Sequence, residues 1–246
     1  MRVAVCLSGQ LRNFEYTYNR LYKYLLEPLS ADVFFYGIPN SKGIQENCKS
    51  LEMLYNPKKY YIYEEDPKKF DIDFSVYTNR RSETIPYKVF YQYFNLKKVM
   101  ELKREYEKNH NFEYDLVIRT RCDNFWFRSL NKEEIDNSLK NNNVVIPDEW
   151  DFKNVSPYGT SDVFAAGSSS ALDLYATHFD NLHKYYTEGC QFHPETMMGF
   201  HLAKIGLNRV SIKTPFWFET PSSWKSLNLH HEMFEFDDTS KARNNC

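Results

Sequence analysis

The sequence predicts an α/β fold, a single domain whose mixed, mostly parallel central sheet is flanked by helices. Three observations carry this. Short runs of apolar residues recur at Val3–Leu7, Val33–Phe35, Leu116–Ile118 and Val144–Ile146, each the length of a buried strand. Between them apolar residues repeat at helical spacing, at Phe14, Tyr18, Leu21 and Leu25 and again at Val89, Tyr93, Leu96 and Met100. Glycine and proline sit at the joints, as at Gly37, Pro39, Pro86, Pro194 and Gly206, where they start and stop elements. Strand and helix signals in alternation indicate parallel strands joined by helical crossovers.

In order, Val3–Leu7 reads as the first strand and a helix follows it, with Pro28 after the helix. Asp32–Tyr36 is the second strand, residues 46–55 a short helix and Tyr60–Tyr63 a third strand. Residues 66–84 are charged and irregular and read as a surface loop able to order over a ligand. Pro86 opens a long helix running to about residue 109. Residues 115–120 form the next strand, and Val144–Pro147 and Asp162–Ala166 two more. A serine-capped helix covers 169–186. Pro194 begins another that ends near Gly206, and Val210–Lys213 and Phe216–Phe218 are short strands. The expected domain spans residues 1–235, with a polar, frayed tail over 236–246. No internal repeat or low-complexity tract is apparent.

Composition narrows the function. The chain has 246 residues and a formal net charge of −2, which suits one large domain and argues against a nucleic-acid binder that relies on phosphate neutralisation. Aromatic residues make up 17% of the chain, and such rings suit sugar faces as well as cores. No apolar run reaches the length of a membrane span, so none is expected. The five cysteines are scattered without a CxxC pair, which favours reduced thiols and a cytoplasmic location over a disulfide or zinc framework.

The densest chemistry lies at Tyr114–Trp126. The apolar core Leu116, Val117, Ile118 runs straight into Arg119, Arg121 and Asp123. Ligands of α/β proteins sit beyond the carboxyl ends of such strands. Arginine forks match phosphate oxygens, and a carboxylate suits a divalent cation or a sugar hydroxyl. Alternate residues of a strand share a face, so the three side chains converge if the extended geometry persists. A structural ion-pair cluster is the competing reading, and Trp126 reads as core. Ser8-Gly9-Gln10-Leu11-Arg12 follows the first strand and precedes a helix. Gly9 permits close backbone approach and Arg12 adds charge, although an ordinary strand–helix turn fits equally. The segment is neither a dinucleotide fingerprint nor a Walker loop.

Three further positions carry candidate chemistry. Asp162, below a glycine turn, is placed to accept hydrogen bonds from sugar hydroxyls or from its own backbone. Glu195 lies in the first turn of a helix, where it either complements the helix dipole or serves as a general base. His230 and His231 are adjacent and face opposite ways if extended, so at most one, taken as His230, joins Asp123 at a metal.

The order of these motifs resembles GT-A-type glycosyltransferases, and more closely the small transferases of bacterial polysaccharide loci and of large DNA viruses. Val3–Arg12, Asp32–Tyr36, Tyr114–Asp123, Gly159–Ser168 and Pro194-Glu195 carry the resemblance, which extends from residue 1 to about 205. In that family the loop after the first strand holds the nucleotide, and an Asp-x-Asp motif holds Mn²⁺ or Mg²⁺ against the diphosphate. The matching positions here are Arg121-Cys122-Asp123, with only the second acid present.

The resemblance therefore implies a GT-A-like fold and a glycosyltransferase, hexosyl or pentosyl, in polysaccharide biosynthesis. Its partners would be a UDP- or GDP-sugar donor and a glycan acceptor hydroxyl. It implies donor binding by Ser8, Gly9, Gln10, Arg12, Arg119, Arg121 and Asp123, a Mn²⁺ or Mg²⁺ ion on Asp123, sugar contacts at Asp162 and a catalytic base at Glu195 or, failing it, at Asp162. A nucleotidyltransferase, a non-catalytic glycan-binding module and a hydrolase with Asp162 and Glu195 as paired carboxylates remain rivals.

Overall fold

The computed structural model describes residues 1–78, 85–149 and 158–218. Within them the chain forms β1 (Val3–Gln10), α1 (Phe14–Leu21), α2 (Glu27–Leu29), β2 (Asp32–Ile38), α3 (Ile44–Tyr55), β3 (Lys59–Ile62) and α4 (Pro86–His110). There follow β4 (Leu116–Thr120), β5 (Asn124–Trp126), α5 (Lys132–Ser138), β6 (Asn143–Pro147) and β7 (Phe164–Gly167). The last elements are α6 (Ser169–Ala176), α7 (His178–Thr187), α8 (Pro194–Ile205), β8 (Asn208–Ile212) and β9 (Phe216–Phe218).

Seven strands make the central sheet in the order β3-β2-β1-β4-β7-β6-β8, and β5 pairs with β9 apart from it. β3, β2, β1 and β4 run parallel. β7 alone is reversed, antiparallel to both β4 and β6, and β8 is parallel to β6. The α/β class and the mixed, mostly parallel sheet are thus as expected. The chain steps from β1 through β2 to β3 at one edge, then returns to lay β4 on the other side of β1. The carboxyl ends of β1 and β4 therefore flank a topological switch point, where open α/β sheets bind their ligands.

Both faces of the sheet are covered, so its strands are continuously apolar. Strand alternation divides the core. Ala4, Cys6, Phe34, Val117, Val144 and Ala165 face α4, α6, α7 and α8, while Val3, Val5, Leu7, Val33, Phe35 and Ile118 join the opposite cluster with residues of α1 and α3, and Phe164 packs there on Trp126 and Phe216. Each fully buried large apolar side chain contributes about 1.5–3 kcal/mol.

The predicted ends of α4 and α8 match their chemistry. Pro86 and Pro194 occupy the first helical position, where the missing N–H is no loss. Gly206 closes α8 with φ 72. Ser168 caps α6 through its hydroxyl, which accepts from the Ala171 N–H at 3.2 Å.

Other expectations need correction. The single helix over 169–186 is two, α6 and α7, because the chain turns at Thr177 to bury His178, which is fully inaccessible. Pro28 does not lie beyond the first helix. A π-helical turn over Tyr22–Leu26 carries that helix on into α2, where Pro28 stands at the start. β5 and α5 were not expected. α5 has a capping box, with Asn131 accepting from the Glu134 N–H at 3.0 Å and Glu134 from the Asn131 N–H at 2.8 Å.

The described part of the expected loop over 66–84 is surface, as expected, with most of its side chains exposed, but its aromatic residues anchor it. It contains two 3₁₀ turns, Pro67–Phe70 and Phe74–Val76, and its aromatic side chains pack against α4 and the segment before α8. Ring centroids lie 5.3 Å apart for Phe70 and Phe94, 5.4 Å for Phe74 and Phe90, and 4.6 Å for Tyr77 and Phe192. Apolar burial fastens the segment to the core, which hydrophilic composition alone does not reveal.

Candidate functional site

The site begins where β1 and β2 run out side by side. Gly9 pairs with Gly37 and has φ +113, a conformation that favours glycine. A β-carbon at Gly37 would collide with the Gly9 carbonyl, so the two backbones approach as only glycine permits. Beyond Gly9 the chain turns, with the Leu11 N–H on the Ile38 carbonyl at 3.0 Å and the Arg12 N–H on the Gln10 carbonyl at 2.9 Å. This projects Gln10 and Arg12 over the strand ends. The Arg12 Nε donates to Gln10 Oε1 at 3.3 Å.

β4 delivers the second half. Arg119 is 2% exposed. Its guanidinium donates to the Asp162 carbonyl and to Ser8 Oγ at 3.4 Å, so it ties β1, β4 and the approach to β7 together. β4 then ends at Thr120, and Arg121, Cys122 and Asp123 do not continue as a strand. Alternation therefore does not place Arg121 and Asp123 on one face, as expected of an extended chain. A turn brings them together instead. Arg121 Nε donates to Asp123 Oδ1 at 2.7 Å and its Nη2 to Oδ2 at 2.6 Å. Arg12 Nη1 lies 3.6 Å from Asp123 Oδ2. The turn is pinned from both sides: Thr17 Oγ1 of α1 donates to the Cys122 carbonyl, and the Cys122 thiol to the Gln10 carbonyl at 3.3 Å.

One pocket collects these parts. Ser8, Gly9, Gln10, Arg12, Arg119 and Arg121 line it, together with Ile38, Glu65, Lys88, Tyr91, Gln92 and Asn95. Six of the seven residues expected to bind a donor thus share one cavity, and the seventh, Asp123, braces it through Arg121. The residues from α4 were missed. Lys88, Tyr91, Gln92 and Asn95 follow the i, i+3, i+4, i+7 pattern of one helical face, and that polar stripe is the signal that points to them.

Asp162, 5% exposed, stands behind this wall. Its Oδ2 accepts from the Gln92 amide and from the Tyr93 hydroxyl at 3.3 Å. The Tyr93 hydroxyl also lies 2.8 Å from the Pro194 carbonyl, joining Asp162 to the start of α8. Burial, and then the charge of Asp162, push the Tyr93 phenol well up, so it stays protonated and donates. Glu195, in the first turn of α8, has its Oε2 3.1 Å from His193 Nδ1, and its carbonyl accepts from the Thr160 N–H at 3.1 Å. Asp162 and Glu195 thus both adjoin Tyr93, neither lining the arginine pocket itself.

Arg121 stays charged. Burial opposes its charge, but the charge and hydrogen bonds of Asp123 outweigh that and raise its pKa. Burial pushes the Cys122 thiol up to about 12, so it is a packed, inert group rather than a ligand or nucleophile. The described cysteines Cys6, Cys48, Cys122 and Cys190 are all free thiols.

The implied Mn²⁺ or Mg²⁺ fits this arrangement poorly. Asp123 gives both carboxylate oxygens to Arg121, and a second guanidinium stands beside it. Among the described residues no three His, Cys, Asp or Glu side chains gather as a metal-ligand group. His230, the other expected ligand, and the 236–246 tail lie outside the described residues. No described helix is long and apolar enough to cross a membrane.

Solved structures similar to the chain include two glycosyltransferases. One is the galactosyltransferase LgtC in complex with donor and acceptor sugar analogs, with TM-score 0.45, 10% identity, 82% of this chain and 70% of that one covered. The other is mouse xyloside xylosyltransferase 1 in its apo form, with TM-score 0.43, 12% identity, 87% of this chain and 84% of that one covered. No curated protein sequence matches the chain. The family model described as "Domain of unknown function (DUF7796)" matches residues 1–216, and the chain belongs to that family.

Proposed function

We propose that the protein is a glycosyltransferase that moves a sugar from a nucleoside-diphosphate donor to a hydroxyl of a glycan acceptor. The observation that carries this is the pocket at the β1/β4 switch point, into which Arg12, Arg119 and Arg121 converge beside the Ser8–Gln10 backbone. Guanidinium forks match phosphate oxygens in geometry and charge. A leaving diphosphate gathers charge as the glycosidic bond breaks, and fixed cations aimed at it stabilise that transition state more than the ground state.

The two carboxylates divide the remaining work. Asp162 is buried and already accepts from Gln92 and Tyr93, which suits it to hold the wall against the donor sugar. The Glu195 side chain is 19% exposed and sits against His193. It is the better placed to take the proton of an acceptor hydroxyl during in-line attack. The motif resemblance in Gly159–Ser168 and Pro194-Glu195 supports the same division.

The test is product analysis with UDP- and GDP-sugars and oligosaccharide acceptors. Transfer should release nucleoside diphosphate; pyrophosphate release would instead favour a nucleotidyltransferase. Glu195→Gln should lower kcat by about 100-fold or more with donor KM little changed. Full acceptor-dependent turnover in that variant removes Glu195 as the base.

A further inference from the structure

We infer that the donor diphosphate is held by guanidinium groups steered by Asp123, and that donor binding needs no divalent cation. This rests on the nucleoside-diphosphate reading above and deepens it. Asp123 is a buried carboxylate whose side chain is 2% exposed. Arg121 takes both of its oxygens in a parallel fork, at 2.7 and 2.6 Å, the geometry of a strong guanidinium–carboxylate pair. Arg12 approaches the same Oδ2 at 3.6 Å from the solvent side, with its side chain 42% exposed.

A divalent ion coordinated by Asp123 would compete with Arg121 for the same two oxygens. It would also stand next to two guanidinium groups, those of Arg121 and Arg12. Like charges that close, in a site partly shielded from water, repel strongly. The pocket supplies the opposite need directly. Arg12, Lys88, Arg119 and Arg121 line it against the single acid Glu65, and Asp123 adjoins it through the two ion pairs. The surplus is positive, as an incoming diphosphate requires.

Asp123 is then a positioning residue. It fixes the plane of Arg121 so that the guanidinium edge not engaged with it is oriented before the donor arrives, which reduces the ordering cost of binding. Arg12, exposed and at the longer distance, is the arm that swings onto the ligand.

The experiment is isothermal titration of the wild-type chain with UDP and with GDP, in EDTA and in excess Mn²⁺. The preferred nucleotide should bind in EDTA with a Kd within about fivefold of its value in Mn²⁺. A larger gain with Mn²⁺ overturns the inference and leaves the donor reading standing. Absence of binding by either nucleotide in either buffer overturns the donor reading and this inference with it. Asp123→Asn, checked for folding by its thermal transition, adds an independent arm. A positioning role predicts an equal loss of affinity, about tenfold, in EDTA and in Mn²⁺. A metal-ligand role predicts that only the Mn²⁺-dependent component disappears. Should that variant fail to fold, Arg121→Lys keeps the charge and removes the fork. It should also weaken binding in EDTA by about tenfold, and unchanged affinity there refutes the guanidinium clamp.

Discussion

His178→Phe should flatten the acid side of the stability curve by about 2 kcal/mol between pH 7 and pH 5. His178 is fully buried, its ring 4.0 Å from that of Tyr93 and stacked 4.9 Å from that of His201. Neither ring nitrogen has a hydrogen-bond partner among the described residues. Burial, and then the neighbouring His201, hold its pKa well below 6.5. His201 is likewise pushed down to about 4 by burial, although the Leu174 and Tyr175 backbones oppose this. A depressed folded pKa means that the unfolded chain binds the proton first. Stability is therefore full above the unfolded value of about 6.5 and falls as pH drops from there toward the folded pKa. Each such group costs about 1.36 kcal/mol per pH unit, so at pH 5 each histidine has removed about 2 kcal/mol. The phenylalanine variant lacks one of the two. Its ring is larger, which costs some packing, but it leaves no orphaned nitrogens, so the two effects offset and the variant should stay close to wild-type stability at pH 7. Urea unfolding of both proteins at pH 5, 6 and 7 measures the difference. Parallel loss of stability in the two proteins would show that His178 is not a buried neutral group.

Three perturbations elsewhere follow from the same packing. Gly37→Ala drives a β-carbon into the Gly9 carbonyl and to within 2.9 Å of the Phe35 ring. It should cost about 3 kcal/mol or more and abolish nucleotide binding, read by thermal unfolding and titration. Gly9→Ala meets no atom within 4 Å but must hold φ +113, so it should cost less, about 1–3 kcal/mol in the same unfolding assay. Lys103, fully buried, stands 3.1 Å from both Glu107 and Asp173. Lys103→Met leaves Glu107 without its cation and Asp173 with only Arg104 at 3.9 Å, and should cost about 3–5 kcal/mol at pH 8. That deficit should shrink toward pH 5. Burial already raises the Asp173 pKa, with Lys103 opposing, and an acid with a raised folded pKa gains stability as pH falls through that value. A deficit that grows on acidification contradicts the pairing.

The sheet was legible because its strands are buried on both faces. Val3–Leu7 and Leu116–Ile118 are apolar without interruption, and each gives way to polar residues where the sheet ends. The pocket was half legible for the same reason, since Ser8–Arg12 and Arg119–Arg121 mark those ends. The α4 half was obscured by the helix itself. Its 25 residues bury Val89, Tyr93, Leu96 and Met100 on one side and offer Lys88, Gln92 and Asn95 on another. Whether a polar helical face meets solvent or a site depends on how the helix lies across β1 and β2, and spacing alone does not say. Asp123 shows where local pattern ends. The sequence offers a carboxylate two residues after an arginine, which fits a strand face, a metal site or an ion pair. The backbone turn at Cys122 decides among them. That turn is held by Thr17 and by the Gln10 carbonyl, 105 and 112 positions away in the chain. Contacts between residues so far apart form only when α1, β1 and β4 have packed together. The orientation of the one acid beside the arginines, and with it the charge that an incoming ligand meets, is therefore a property of the tertiary fold rather than of the motif.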